Sequence, residues 1–156
     1  MSPLDARALV FATEAERDWE GVLDNLRKAG AHDPGRGGPE SAWVALALDH
    51  AYSAFEAMLV RLERGLCQPE RAGAAWHRAL LLDAARPIEG LRPAVVPAEV
   101  LADWLELLGF RHFLRHAYRA ELDPRRLAQL VERLERAVRV TEPCIAAVLA
   151  ALRSLS

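Results

Sequence analysis

No stretch of this chain alternates polar and apolar residues with period two, whereas apolar residues recur at spacings of three and four through most of its length. That pattern selects helices over strands. Helices that each carry one apolar stripe can bury it only against one another. At 156 residues the chain has the size of one domain. It is expected to fold over residues 1–156 as a single all-α, antiparallel bundle of about five helices.

The boundaries follow from local chemistry. Ser2-Pro3-Leu4-Asp5 supplies a cap, a proline at the first helical position and an acid three residues after the cap. Ala8, Ala12, Ala15, Trp19, Val22 and Leu26 then keep helical period until Gly30. Glycine and proline crowd residues 31–39, which are read as a mobile loop. A second helix is expected over residues 40–66 on the stripe Leu48, Tyr52, Phe55, Leu59 and Leu62, and a third over residues 70–85, ended by Pro87. Residues 87–97 form a proline-punctuated connection, and the fourth helix starts near Pro97. Asp123-Pro124 opens a fifth helix carrying Leu127, Leu130, Leu134, Val138, Ile145, Val148 and Leu152, which Pro143 should kink or split.

Formal net charge is −2, so the chain does not coat nucleic acid by bulk charge. Arginine outnumbers lysine 19 to 1, a bias we assign to a GC-rich genome. Cys67 and Cys144 lack metal-site spacing and are read as small buried hydrophobes in a reducing environment. With no leader pattern and no apolar run of membrane-spanning length, a cytoplasmic protein is expected.

Charge does concentrate in one place, the stretch Phe-Arg-His-Phe-Leu-Arg-His-Ala-Tyr at 110–118. As a helix it offers Phe110, Phe113, Leu114 and Ala117 to the core and turns Arg111, His112, Arg115, His116, Tyr118 and Arg119 away from it. No acid interrupts the donors between Glu106 and Glu121. Arg111 and His116 lie roughly 140° apart on the wheel, a poor arrangement within one protomer but a workable one across a two-fold axis. Such a cleft suits RNA phosphodiester cleavage, with histidine moving protons and arginine holding phosphate oxygens. His112, Arg115 and Arg119 are candidate RNA-binding residues on the same face. From spacing alone the bland alternative, a solvated basic face, stands beside this reading. His112 and His116 also have the spacing of a two-histidine metal pair, but neither an adjacent Glu nor a third ligand accompanies them, so no metal is assigned. Glu56 follows the Tyr52 to Phe55 stripe and has two readings, an acid facing the cleft and the favoured one, a helix-surface acid; His77 beside Trp76 is read as a structural contact ahead of a ligand.

The segment 111–118 resembles the Arg-x4-His-x-Tyr motif of HEPN-domain ribonucleases. From about residue 51 to 140 the chain is similar to the HepT-like family, toxins of HEPN/MNT toxin-antitoxin pairs. Ala75-Trp76-His77-Arg78-Ala79-Leu80-Leu81, Gly90-Leu91-Arg92-Pro93-Ala94-Val95 and the Glu121-Leu122-Asp123-Pro124 turn also carry the likeness. The resemblance implies an all-helical HEPN-like homodimer with its site across the interface and RNA cleavage without metal or cofactor. It also implies neutralisation by a minimal nucleotidyltransferase. Residue by residue, Arg111 and His116 match the catalytic pair, and Tyr118 matches the tyrosine that accepts AMP. Position 112 is His where these motifs often have Asn or Asp. Two alternatives remain open: a non-catalytic helical partner of a nucleotidyltransferase, and a metal-binding bundle.

Overall fold

The computed structural model describes residues 2–116 and 121–154, and among them five α-helices and no strand. The first, α1 (Pro3–Gly30), opens on the capping box read from the sequence, Ser2 Oγ accepting from Asp5 N–H while Asp5 accepts from Ser2 N–H. It packs antiparallel on α2 (Gly38–Gly65). Arg61 of α2 ties down Glu14 and Asp18 of α1, both at 2.6 Å. Near the far end of this pair, Gly65 admits Phe11 and Leu152 so closely that an added Cβ would meet them at 3.1–3.2 Å.

The connection expected to be mobile contains a 3-10 turn, Pro34–Arg36, and is bonded at several points. Glu40 accepts from Asp33 N–H and meets His32 Nδ1, each at 3.0 Å, and Asp33 caps Gly35 N–H. Gly37 and Gly38, at φ 67° and 50°, turn the chain into α2.

The third helix is shorter than expected. Residues 66–75 stay irregular, with Gly73 at φ 96°, and α3 runs only over Trp76–Ala84. Its placement is nonetheless specific. Arg71 reaches Glu63 of α2 and Asp83 of α3, and the buried Arg92 donates to the carbonyls of Asp83, Arg86 and Pro93. Ala84 O accepts from Val95 and Val96 N–H. The C-terminal end of α3 is therefore tied to the chain that follows it, and Leu80, Leu81 and Ala84 are pressed into the core.

After a 3-10 turn, Ala98–Val100, the fourth helix α4 (Leu101–His116) runs antiparallel to α2 and to α5 (Pro124–Arg153). Ion pairs Arg126–Glu106 and Arg133–Asp103 set the second register. Pro143 does not split α5, which continues through it as one helix. One apolar core draws on all five helices. At its centre Phe55 stacks on Trp104 with ring centroids 3.7 Å apart, and Trp104 Nε1 donates to Thr141 Oγ1 at 3.0 Å.

Two residues assigned to the interior lie outside it. Phe113 is 43% exposed, and Cys67 is exposed at a positive φ of 57° just past the end of α2. The buried residues of α4 are Asp103, Trp104, Leu107 and Phe110, so the stripe centres on Leu107. Phe113 then falls about 120° from its centre while Arg111 falls only about 40° from it. Phe55→Ala should accordingly cost about 3–5 kcal/mol in urea unfolding, and Phe113→Ala less than about 1 kcal/mol.

Candidate functional site

The rotated phase of α4 changes what the Arg-x4-His motif faces. Arg111 does not turn to solvent; its side chain is 14% exposed and lies against α2. Its Nη1 donates to Glu56 Oε1 at 2.9 Å, and its Nε stands 3.6 Å from Asp49 Oδ1. At that separation the second contact is an ion pair without a hydrogen bond, and both atoms are buried without a hydrogen-bond partner among the described residues. Arg115, more exposed, approaches the same Asp49 oxygen at 4.0 Å. The acids missing from the motif's own stretch are supplied by the neighbouring helix.

Glu56 is therefore no surface acid. It is buried, and its second oxygen accepts from His77 Nδ1 at 2.8 Å. One carboxylate thus joins α2, α3 and α4. The carboxylate that Arg111 faces can only accept, so His77 must carry a hydrogen on Nδ1, and in the neutral ring Nε2 is then the nitrogen with the lone pair. Trp76 stacks on the His77 ring with centroids 3.8 Å apart and holds its plane, while the side chain stays 40% exposed. Tyr52, one turn before Glu56 on α2, is buried at 1% exposure. Burial, and then the Glu56 carboxylate, push its hydroxyl well above the ordinary phenol range, against the opposing pull of Arg111.

His116 lies on the other side of α4 and is exposed. Its Nδ1 donates to the His112 carbonyl at 2.8 Å, one turn back, so Nε2 is the ring nitrogen left open for proton transfer. The His112 and His116 rings lie 4.3 Å apart. Arg111 and His116 thus leave α4 in different directions, Arg111 towards α2 and His116 outward, as the wheel angle required. Tyr118, the candidate AMP acceptor, and Arg119 lie outside the described residues. No group of three or more His, Cys, Asp or Glu converges to hold a metal ion among the described residues.

From sequence, Glu56, Asp49 and the depth of Arg111 were not found. Asp49, Tyr52 and Glu56 do lie along one line of α2 at spacings of three, four and seven, and acids in an otherwise apolar stripe were the available signal. The burial has an energetic consequence. Arg111→Ala leaves Asp49 and Glu56 facing each other without their shared cation, and should cost about 3 kcal/mol or more. Replacing Glu56 by Gln in the same chain should recover part of that loss, and a double-mutant cycle by urea unfolding measures the coupling.

Residues 43–152, which span nearly all of α2 and run to the last turn of α5, match the family described as HepT-like protein. Comparison with curated proteins and with solved structures gives no match. None of the described helices is long and apolar enough to cross a membrane. The family match covers the greater part of the sequence and every residue of the Asp49, Glu56, His77, Arg111 and His116 constellation; the chain belongs to the HepT-like family.

Proposed function

We propose that the protein is a metal-independent endoribonuclease toxin of a HEPN/MNT toxin-antitoxin pair. Its RNA site is formed between two copies of the chain. The observation that carries this reading is the arginine of the Arg-x4-His motif held by two acids, with only one of its donors in a hydrogen bond among the described residues. A guanidinium oriented at Nη1 by Glu56, with no hydrogen bond to Nη2 among the described residues, is prepared to take an oxygen of a phosphate. His116, anchored through Nδ1, presents Nε2 for proton transfer.

The nucleophile is the substrate's own 2′-hydroxyl. A general base takes the 2′ O–H proton, and the freed oxygen bonds to the adjacent phosphorus as the bond from phosphorus to the 5′-oxygen breaks. The 5′-oxygen leaves with a proton from His116, and Arg111 stabilises the charge on the non-bridging oxygens. The products are a 2′,3′-cyclic phosphate and a 5′-hydroxyl end, and none of these steps requires a metal or cofactor. Two copies are needed because Arg111 and His116 diverge on α4. The uncovered ring of Phe113, about 60° from His116 around the same helix, supplies apolar surface for such a contact. His112, Arg115 and Arg119 are assigned to the RNA path.

Neutralisation is assigned to a minimal nucleotidyltransferase that transfers AMP to Tyr118. The added phosphodiester anion would compete for Arg115 and Arg111. One observation favours the alternative, a non-catalytic partner of the nucleotidyltransferase: Asp49 and Glu56 already neutralise Arg111. Cleavage separates the two.

Incubated with RNA in EDTA, the wild type should cut and leave 2′,3′-cyclic phosphate ends. His116→Ala, at an exposed position, should abolish cleavage and toxicity with an unchanged melting temperature. Absence of cleavage by unmodified protein under every condition would favour the alternative. Light scattering should give a dimer at micromolar concentration that Phe113→Glu weakens; a monomer would defeat the composite site. Treatment with the cognate nucleotidyltransferase and ATP should add AMP to Tyr118 by mass spectrometry, and Tyr118→Phe should escape inactivation.

A further inference from the structure

The proposed reaction moves two protons, one off the 2′-hydroxyl and one onto the departing 5′-oxygen. The motif itself offers one histidine with an open Nε2 for both. A second histidine shares a carboxylate with Arg111 in the same protomer. Glu56 Oε1 takes Arg111 Nη1 and Glu56 Oε2 takes His77 Nδ1, at 2.9 and 2.8 Å, so the guanidinium and the imidazole sit side by side on one carboxylate.

We infer that His77 is a second catalytic histidine, the general base of RNA cleavage, held by the buried Glu56 beside the arginine that takes the phosphate. This assignment rests on the ribonuclease reading above. Three features distinguish such a base from a residue that merely caps a buried acid. Its hydrogen is fixed on Nδ1 by Glu56, so the lone pair is on Nε2, as a base requires. Its ring plane is set by the Trp76 stack. Yet the side chain stays 40% exposed while Glu56 is 8% exposed, so substrate can reach the ring on the side away from Glu56. Among the described residues, the charged groups joined to it by hydrogen bonds are Glu56 from α2 and, beyond that carboxylate, Arg111 from α4.

The step balances as follows. The 2′ O–H bond breaks and its proton passes to His77 Nε2. The freed O2′ bonds to phosphorus while the bond from phosphorus to O5′ breaks, and O5′ takes a proton from the imidazolium of His116 on the second copy. His77 then returns its proton to solvent and His116 regains one. Arg111 and Glu56 stay ionised throughout, and Glu56 acts as a positioning residue for both of its neighbours.

The test uses the full-length dimer and two RNA substrates, one ordinary and one whose scissile 5′-oxygen is replaced by sulfur. A thiolate departs without a proton, so the sulfur substrate needs the base and not the acid. His77→Asn keeps an N–H for Glu56 and removes Nε2; His77→Gln is the second variant in case Asn does not fold, and melting curves monitor both. On ordinary RNA, His77→Asn should lower kcat about 100-fold or more, leave KM nearly unchanged, and remove the acidic limb of the pH profile. On the sulfur substrate His116→Ala should recover activity and His77→Asn should not. Wild-type kcat and pH profile in a folded His77 variant, or recovery of that variant on the sulfur substrate, would overturn the assignment while leaving Arg111, His116 and the ribonuclease reading in place. If the wild type cuts no RNA, that reading falls first and the base falls with it.

Discussion

A single buried carboxylate organises the functional end of this molecule. Glu56, inside the core of a helical bundle, accepts from an arginine of α4 and a histidine of α3. Taking ions out of water costs several kcal/mol each, and their mutual attraction offsets this only when the geometry is good. A well-packed apolar trio at these positions would hold three helices together at least as well. The charges are therefore better understood as specifying geometry. Each oxygen of Glu56 has one donor, so α3 and α4 are indexed against α2 at one register, and the donors' free edges are aimed by what they bond to.

That indexing depends on parts of the chain remote from the motif. Without the Arg71 and Arg92 contacts, the nine-residue α3 would be too short to hold itself as a helix. These arginines bind its terminal carbonyls and Asp83, while Leu80 and Leu81 bury the face that carries His77 one turn earlier. The stack of Phe55 on Trp104 does the same for α4, fixing its rotation two turns before Arg111. The loop chemistry around Arg92 and the aromatic core thus reach the candidate site through helix placement.

Much of this architecture was legible in the amino-acid order. Ser2-Pro3-Leu4-Asp5 and Asp123-Pro124 begin helices where their capping chemistry says they should, and helical period alone separates the five elements. Tertiary choice was less legible. The motif gives the phase of α4 from Phe110 onward, but Leu107 and Trp104, about one and two turns earlier, decide which side meets α2. Phe113 is therefore uncovered and Arg111 is drawn inward. The burial of Glu56 is not legible from its wheel position, because a wheel gives an angle and not the neighbour that fills it. Residues 70–75 have helical composition, which extends the expected third helix, but Gly73 and the pull of Arg71 on Glu63 hold them out of it. The resemblance through Arg111, His116 and Tyr118 located the motif but was silent on the acids beneath it.

The central claim is that Arg111, indexed by Glu56, receives a phosphate of RNA between proton-transfer groups that come from two copies. A crystal structure of the protein with an RNA blocked at the scissile 2′-oxygen by methylation tests this most directly. The account predicts two copies about a two-fold axis and the scissile phosphate on the guanidinium of Arg111, still bonded to Glu56. His77 of the same protomer should lie towards the blocked 2′-oxygen and His116 of the other copy towards the 5′-oxygen. A phosphate bound away from Arg111, or copies joined through a face that leaves Arg111 and His116 apart, would contradict it.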